Sequence, residues 1–345
     1  MKVEFGNIYI GDGKKIFIIA EIGVNHNGDV NLAKKMIKEA AKSGANAVKF
    51  QTFIAKDMLT KHTKKAKYQE KNSKTSLQME MIEKLQLNKD DFFEISEYAK
   101  SNNVLFLSSP FDIKSVDLLD ELDVPGFKVG SGEINNFELL ESIERKDKPI
   151  ILSTGMSTLD EIQETFDFIK NKNKLIILHC ITGYPSKFED ANLKFINTLK
   201  EKFKVPIGFS DHSPGIELAI AAVGLGACVI EKHFTLDKTL DGPDHQASLE
   251  PHEFKAMVDA IRNVEIAMGD GVRRISDSEL EIKKVARKSI VAACDIPSGS
   301  TLSDGMLAIK RPGTGIEPKY FKSLIGKKAK VDIKKDDLIK YEFLV

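Results

Sequence analysis

The chain lacks a surplus of either charge: its 345 residues carry 51 Lys and Arg against 51 Asp and Glu. A balanced chain gives no electrostatic ground for nucleic acid or an anionic membrane as partner, and it leaves room for a local cationic pocket that takes a small anion. Cysteine is scarce. Cys180, Cys228 and Cys294 are odd in number and far apart, which argues against a disulfide framework or a cysteine-built zinc site and suits a reducing compartment. The N-terminus has no charged head followed by an apolar core and a small-residue cleavage site. The longest apolar run, AIAAVGLGACVI, is too short to span a bilayer and holds two glycines. Together these absences predict a cytoplasmic protein, and 42% hydrophobic with 30% charged residues is the balance of an ordinary globular chain.

Eight apolar, β-rich runs recur along the chain, at 16–23, 46–52, 104–111, 126–133, 149–156, 175–185, 206–213 and 228–235. Near-continuous apolar strands imply burial on both faces, as in a parallel sheet. Between them lie helical patterns. Leu32, Met36, Ile37 and Ala40 share one face ahead of Gly44, Thr158 and Glu161 make a capping-box pattern, and Ser213 with Pro214 reads as a helix start. Eight strand–helix units predict a (β/α)8 TIM barrel, with an open doubly wound sheet as the alternative. The opening residues read as a hairpin at the barrel's bottom. Residues 53–103 make an overlong connection, with the lysine-rich TKHTKKAKYQEK as a candidate lid and a helix near 89–101. The pattern changes after residue 265. The predicted organisation is a catalytic barrel over 1–265, a linker over 266–285 and a small β-rich domain over 286–345, too small to be more than marginally stable alone.

In such a barrel the chemistry sits at the C-terminal ends of the strands. Each run ends there in polar residues: Glu21, then Lys49 and Gln51, Ser108 and Ser109, Lys128 with Ser131 and Glu133, Ser153, Thr182 and Tyr184, Ser210 to His212, and Glu231 to His233. Inward-facing lysines are costly without an anion to pair with, so Lys49, Lys128 and the hydroxyls suggest a phosphate or carboxylate ligand. His212 and His233 end consecutive strands at the same offset. Neighbouring strands run about 4.8 Å apart, so the two rings can share one ion; two hydrogen-bonded rim histidines explain the spacing equally well. His26, His179, His245 and His252 read as background, and strand alternation points Asp211 away from the site.

The pieces AEIGVNHNG, AVKFQTF, SSPFD, FKVGSGE, LSTGM, LHCITGYP, GFSDHSPG, EKHFT, GPDH and KRPGTGI run in order through nearly the whole chain. Together they resemble the sialic acid synthase family, including the legionaminic and pseudaminic acid synthases. The resemblance implies a TIM barrel followed by a small domain similar to type III antifreeze proteins (a SAF domain). It also implies condensation of phosphoenolpyruvate with the open-chain aldehyde of an N-acetylmannosamine-type sugar, giving a nine-carbon 2-keto sugar acid (N-acetylneuraminate) and phosphate.

Carried over residue by residue, the resemblance makes His212 and His233 ligands of a divalent metal, Mn²⁺ or alternatively Mg²⁺ or Co²⁺, which polarises the aldehyde. Lys49, Lys128, Ser131, Ser153, Thr182 and Ser210 would hold phosphoenolpyruvate. Gln51, Ser109, Glu133, Tyr184 and Asp244 would orient the sugar, and Glu21 would transfer a proton near the reacting carbons. Arg311 would reach from the small domain into a second copy's barrel, which implies a domain-swapped homodimer. Thr182 stands where some members have Asn, and Ser109 where Thr is common; both keep a hydrogen-bonding group. The competing readings are a metal-dependent barrel hydrolase, which needs the histidines without phosphoenolpyruvate, and a carbohydrate-binding or ice-binding module built on the tail.

Overall fold

The computed structural model describes residues 1–60, 62–65 and 77–345. Of the candidate lid, Lys61 and residues 66–71 lie outside the described residues. The eight apolar runs form eight parallel strands: β3 (Phe17–Gly23), β4 (Ala47–Thr52), β5 (Leu105–Pro110), β6 (Phe127–Val129), β7 (Ile150–Ser153), β8 (Leu175–Cys180), β9 (Ile207–Asp211) and β10 (Val229–His233). Their order in the sheet is β5-β4-β3-β10-β9-β8-β7-β6, and β5 packs beside β6 to bring the two ends together without a ladder. This is the closed, barrel-like arrangement predicted from eight strand–helix units, rather than an open sheet.

Helices cover the outside for the reasons their sequences give. In the helix Val30–Lys42, Ala33, Met36, Ile37 and Ala40 are buried, and Gly44 takes φ +91° just past its end. Thr158 and Glu161 form a reciprocal capping box on the helix Leu159–Phe168, and the helix expected near 89–101 spans Lys89–Ser101. The helix expected to start at Ser213 and Pro214 begins instead at Glu217. Asp211 engages both the backbone N–H and the hydroxyl of Ser213, and Gly215 at φ +73° interrupts any helical run there. An antiparallel hairpin, β1 (Lys2–Phe5) and β2 (Ile8–Gly11), packs Val3, Phe5 and Ile10 onto the apolar barrel interior.

That interior is layered. On six of the eight strands the lower inward positions are apolar: Phe17 and Ile19, Ala47, Leu107, Ile151, Ile176 and Leu178, and Val229. With a period of two, the next inward positions are Glu21, Lys49, Ser109, Ser153, Cys180 and Glu231. Between Leu178 and Val229, β9 offers Gly208, where a Cβ would come within 2.6 Å of both side chains. The apolar floor therefore ends at one level, and a polar ring begins above it.

The chain divides into two compact units, Met1–Gly269 and Asp270–Val345. Within the stretch expected as a linker, the helix Pro251–Met268 ends and a second helix, Asp277–Ala286, is opened by a capping box of Ser276 and Glu279. The second unit pairs β11 (Ser289–Ala292) with β12 (Leu307–Lys310) antiparallel over a core that includes Ile290, Leu302, Ile316, Leu324, Ile333 and Ile339. All three cysteines are free thiols, Cys180 and Cys228 buried and Cys294 exposed. Among the described residues no helix is long and apolar enough to cross a membrane.

Two buried histidines of the barrel make its stability pH-dependent. His26 lies on Phe50, and His245 Nδ1 meets Thr235 Oγ1 at 2.7 Å. Burial lowers each to about 4, from 6.5. Between these values the unfolded chain binds more protons than the folded one, so the contribution is full above pH 6.5 and is lost as pH falls toward 4. Each histidine then destabilises the fold by up to about 1.4 kcal/mol per pH unit across that window. Glu21 and Asp244, raised to about 7 and about 6, act with the opposite sign over the same range, so the test is a difference. Relative to the double variant His26→Asn/His245→Asn, wild type should lose unfolding midpoint between pH 7 and pH 5; the same pH dependence in both contradicts the assignment.

Candidate active site

Above the apolar floor, a cavity of about 140 Å³ opens at the C-terminal ends of the strands. Two lysines and two glutamates, none more than 4% exposed, stand in its base. Lys49 Nζ lies 2.7 Å from Glu21 Oε2 and 4.0 Å from Glu231 Oε2, and it donates to Ser109 Oγ at 3.2 Å. Lys128 Nζ donates to Ser153 Oγ at 2.7 Å and lies 3.6 Å from Glu231 Oε1. Ser210 Oγ donates to Glu231 Oε1 at 2.9 Å, and Gln51 Nε2 to Glu21 Oε1 at 3.3 Å. The array is thus two buried cations alternating with two buried anions.

The groups respond differently to the same dry surroundings. Burial raises Glu21 to about 7, opposed by Lys49 and reinforced by Glu231. Burial would raise Glu231 too, but Lys128 and Lys49 outweigh it and hold that carboxyl below its ordinary value. Burial lowers Lys128, whereas Glu21 and Glu231 overcome the burial of Lys49 and hold it above the usual range. A carboxyl near 7 beside a firmly ionised one is the pattern of a group that exchanges protons at neutral pH.

One wall is aromatic and basic. The rings of His212 and His233 lie 5.3 Å apart, and Tyr184 stacks 4.3 Å from His212. His212 Nδ1 sits 2.8 Å from the Ile181 carbonyl, which can only accept, so this nitrogen carries a proton and Nε2 is the one left to ligate. Burial, with His212 and Lys49 nearby, holds His233 well below its ordinary value and hence neutral, the ligating form. Its Nδ1 is buried without a hydrogen-bond partner. Burial would lower His212, but Cys180 and the Ile181 carbonyl outweigh it and hold His212 above its ordinary value, so a divalent cation shared with the neutral His233 would take the place of a His212 proton. Among the described residues no group of three or more His, Cys, Asp or Glu could hold a metal ion, so most of its coordination positions would be left to substrate or water.

Of the candidate residues, Glu21, Lys49, Gln51, Ser109, Lys128, Ser131, Ser153, Thr182, Tyr184, Ser210, His212 and His233 line this one cavity. Thr182 Oγ1 is buried there without a partner. Gly155 leaves space beside it: a Cβ would meet Thr182 Oγ1 at 2.2 Å and Ser131 Oγ at 2.8 Å. Three candidates do not line the cavity. Glu133 sits in a 3-10 turn and accepts from Asn136 Nδ2 at 2.7 Å. Asp244 is buried, raised to about 6 by burial against the opposing charges of His212 and Lys49. Arg311 belongs to the second unit, where its exposed side chain donates from Nε to the Ala286 carbonyl. Asp211 points away from the cavity, as alternation predicted, and pairs with Lys232 at 2.7 Å.

Six cavity residues were given no role from the sequence: Glu231, Cys180, Phe111, Met156, Gly130 and Gly132. Glu231 was legible, since it stands two residues before His233 on one strand face. Met156 carries no sequence signal. Its side chain is 69% exposed and its backbone takes φ +62°, uncommon for a residue with a side chain.

The comparisons agree with the geometry. The NeuB family model matches residues 36–273, and the SAF domain model matches residues 287–345. The chain is 49% identical over 332 residues to the N,N'-diacetyllegionaminic acid synthase of Campylobacter jejuni, covering 95% of this chain and 99% of that one. It is 39% identical over 337 residues to the N-acetylneuraminate-9-phosphate synthase of Mus musculus, covering 97% and 94%. The crystal structure of the sialic acid synthetase from Leptospira borgpetersenii, in complex with citrate, is 37% identical, with a TM-score of 0.74 over 82% of this chain and 95% of that chain.

Proposed function

The chain belongs to the NeuB family, and on that premise we propose that it condenses phosphoenolpyruvate with the open-chain aldehyde of an N-acylated mannose-type sugar, yielding a nine-carbon 2-keto acid and inorganic phosphate. The observation that carries the reading is the buried array of Lys49 and Lys128 with Ser109, Ser153 and Ser210, directly beside the histidine pair. A hydrolase using the same histidines would have no need of two buried lysines.

In this reading Lys49, Lys128, Ser131, Ser153, Thr182 and Ser210 bind the carboxylate and phosphate of phosphoenolpyruvate. Gln51, Ser109 and Tyr184 orient the sugar, with Glu133 and Asp244 nearer its far end. A divalent metal such as Mn²⁺ held by His212 and His233 would supply Lewis acidity toward the aldehyde oxygen. The alkene carbon of phosphoenolpyruvate bonds to the aldehyde carbon, and its second carbon becomes oxocarbenium-like. Water adds there, and the tetrahedral intermediate loses phosphate by C–O cleavage. Glu21, near 7, can give a proton to the new alkoxide or take one from the attacking water. The fixed lysines and hydroxyls hold both reactants in line before the bond forms.

Two sugars are in contention. The motifs are shared by the sialic, legionaminic and pseudaminic acid synthases and leave N-acetylmannosamine and the diacetamido sugars open, whereas 49% identity to a diacetyllegionaminic acid synthase favours a diacetamido sugar. The test is phosphate release and product mass with phosphoenolpyruvate, Mn²⁺ and each sugar, including the 6-phosphate of N-acetylmannosamine. One sugar is expected to exceed the others by at least tenfold in kcat/KM. No phosphate release with any of them overturns the reading.

The homodimer and the role of Arg311 belong to the same proposal. Residues 270–345 carry sixteen Lys and Arg against eleven Asp and Glu, so the first unit holds the matching acidic excess of this neutral chain. In the second unit, Val272, Ile282 and Val285 are each at least 60% exposed, apolar surface suited to burial against a second copy. Arg311→Ala is expected to raise KM for the sugar by roughly tenfold to a hundredfold, the value of one or two charge-assisted hydrogen bonds. Affinity for phosphoenolpyruvate should stay within about twofold. Equal loss of both affinities would assign Arg311 elsewhere.

A further inference from the structure

We propose that the buried pair Asp211–Lys232 is a positioning device that fixes the two histidines relative to each other; the inference rests on the metal reading of His212 and His233. The ladder between β9 and β10 ends at the rung Lys232↔Asp211. His212 and His233 are the next residues along the chain from this rung; His233 forms a rung with Glu21 of β3, but no β9–β10 rung ties it to His212. At that rung Lys232 Nζ donates to Asp211 Oδ2 at 2.7 Å and to the Ser213 carbonyl at 2.6 Å. Asp211 Oδ1 accepts from Ser213 N–H at 2.9 Å and from Ser213 Oγ at 2.7 Å. His212 is thereby flanked on both sides by residues tied to the strand that carries His233. None of the three is more than 1% exposed.

The arrangement does more than fill space. A buried ion pair adds little net stability over apolar residues of equal volume, but it fixes direction, because each polar atom must meet its partner. The two rings need that direction unequally. The Ile181 carbonyl orients the His212 ring, whereas His233 Nδ1 has no partner, so the backbone must place the His233 ring. Lys232 is the residue immediately before it.

The single variants leave one buried charge unpaired and can fail to fold. The decisive form is therefore the double variant Asp211→Asn/Lys232→Met, with Ser213→Ala as a milder second variant, both in the full-length chain. Mn²⁺ affinity is read by electron paramagnetic resonance titration and phosphoenolpyruvate affinity by calorimetry, with folding checked by circular dichroism. The double variant is expected to bind Mn²⁺ at least tenfold more weakly, in the range found when groups supporting a metal ligand are lost, with phosphoenolpyruvate affinity within about threefold. Ser213→Ala should move Mn²⁺ affinity in the same direction by less. A folded double variant with Mn²⁺ affinity within twofold of wild type, or with both affinities lost in parallel, overturns the inference. Wild-type protein that binds no Mn²⁺ overturns the metal reading beneath it, a separate outcome.

Discussion

Replacing His233 by alanine is expected to lower turnover by roughly a thousandfold or more while leaving phosphoenolpyruvate binding close to wild type. A thousandfold corresponds to about 4 kcal/mol of transition-state stabilisation, within the several kcal/mol that a Lewis acid supplies to a developing alkoxide. The ring stands on the aromatic wall, 5.3 Å from His212, and makes no hydrogen bond to either lysine of the array. The anion pocket therefore keeps its donors when the ring is removed. Burial and the surrounding cations keep His233 uncharged, so its loss does not alter the charge of the cavity. Steady-state phosphate release measures turnover, and calorimetry measures binding. If His233→Ala retains more than a tenth of wild-type turnover at saturating Mn²⁺, the histidine pair is a rim feature and the chemistry does not need it.

Much of this site could be read from the strands, because six of the eight change from apolar to polar at the same inward level. Phe17, Ile19 and Glu21 show the change on β3, as do Val229, Glu231 and His233 on β10. Period-two alternation separates inward Ser210 and His212 from outward Asp211. It fails where the strand ends early. β6 stops at Val129 and a 3-10 turn follows over Ser131–Glu133, so Glu133 no longer follows strand parity and turns to Asn136. The helix start expected at Ser213 fails for a local reason: Asp211 turns the Ser213 backbone N–H and hydroxyl toward itself, and Gly215 at φ +73° breaks the helical run before Glu217. Lys232, behind the cavity wall, is the least legible of these residues. A lysine on a strand's outward face would ordinarily be solvated, and only the register with Asp211 shows why it is fully buried.

Lys49→Met should weaken phosphoenolpyruvate binding by about a hundredfold, since a charge-assisted bond to a buried anion contributes roughly 1.5–3 kcal/mol and Lys49 is one of two cations that can make it. The loss has a second part. Without Lys49, Glu21 and Glu231 share the cavity base with Lys128 alone, and an incoming anion meets excess negative charge. Glu21 can relieve this by taking a proton, because it already sits near 7 and loses the partner that held it down. The sign follows directly. Protonating Glu21 makes the cavity more positive, so affinity of wild type for phosphoenolpyruvate should rise as pH falls from 8 to 6; in Lys49→Met, where Glu21 rises further and is already protonated over more of that range, the slope should be shallower and shifted to higher pH. Wild-type binding should also take up protons, seen as a dependence of the calorimetric heat on the buffer's ionisation enthalpy. Glu21→Gln removes the titrating group and should abolish that part of the uptake. In the double variant Lys49→Met/Glu21→Gln, neutral side chains replace a buried ion pair, so the fold should survive as it does when such pairs are exchanged together. Binding should remain weak, because the lost cation is not restored. A double variant that recovers wild-type affinity would mean that Lys49 serves only to neutralise Glu21 and does not hold the anion.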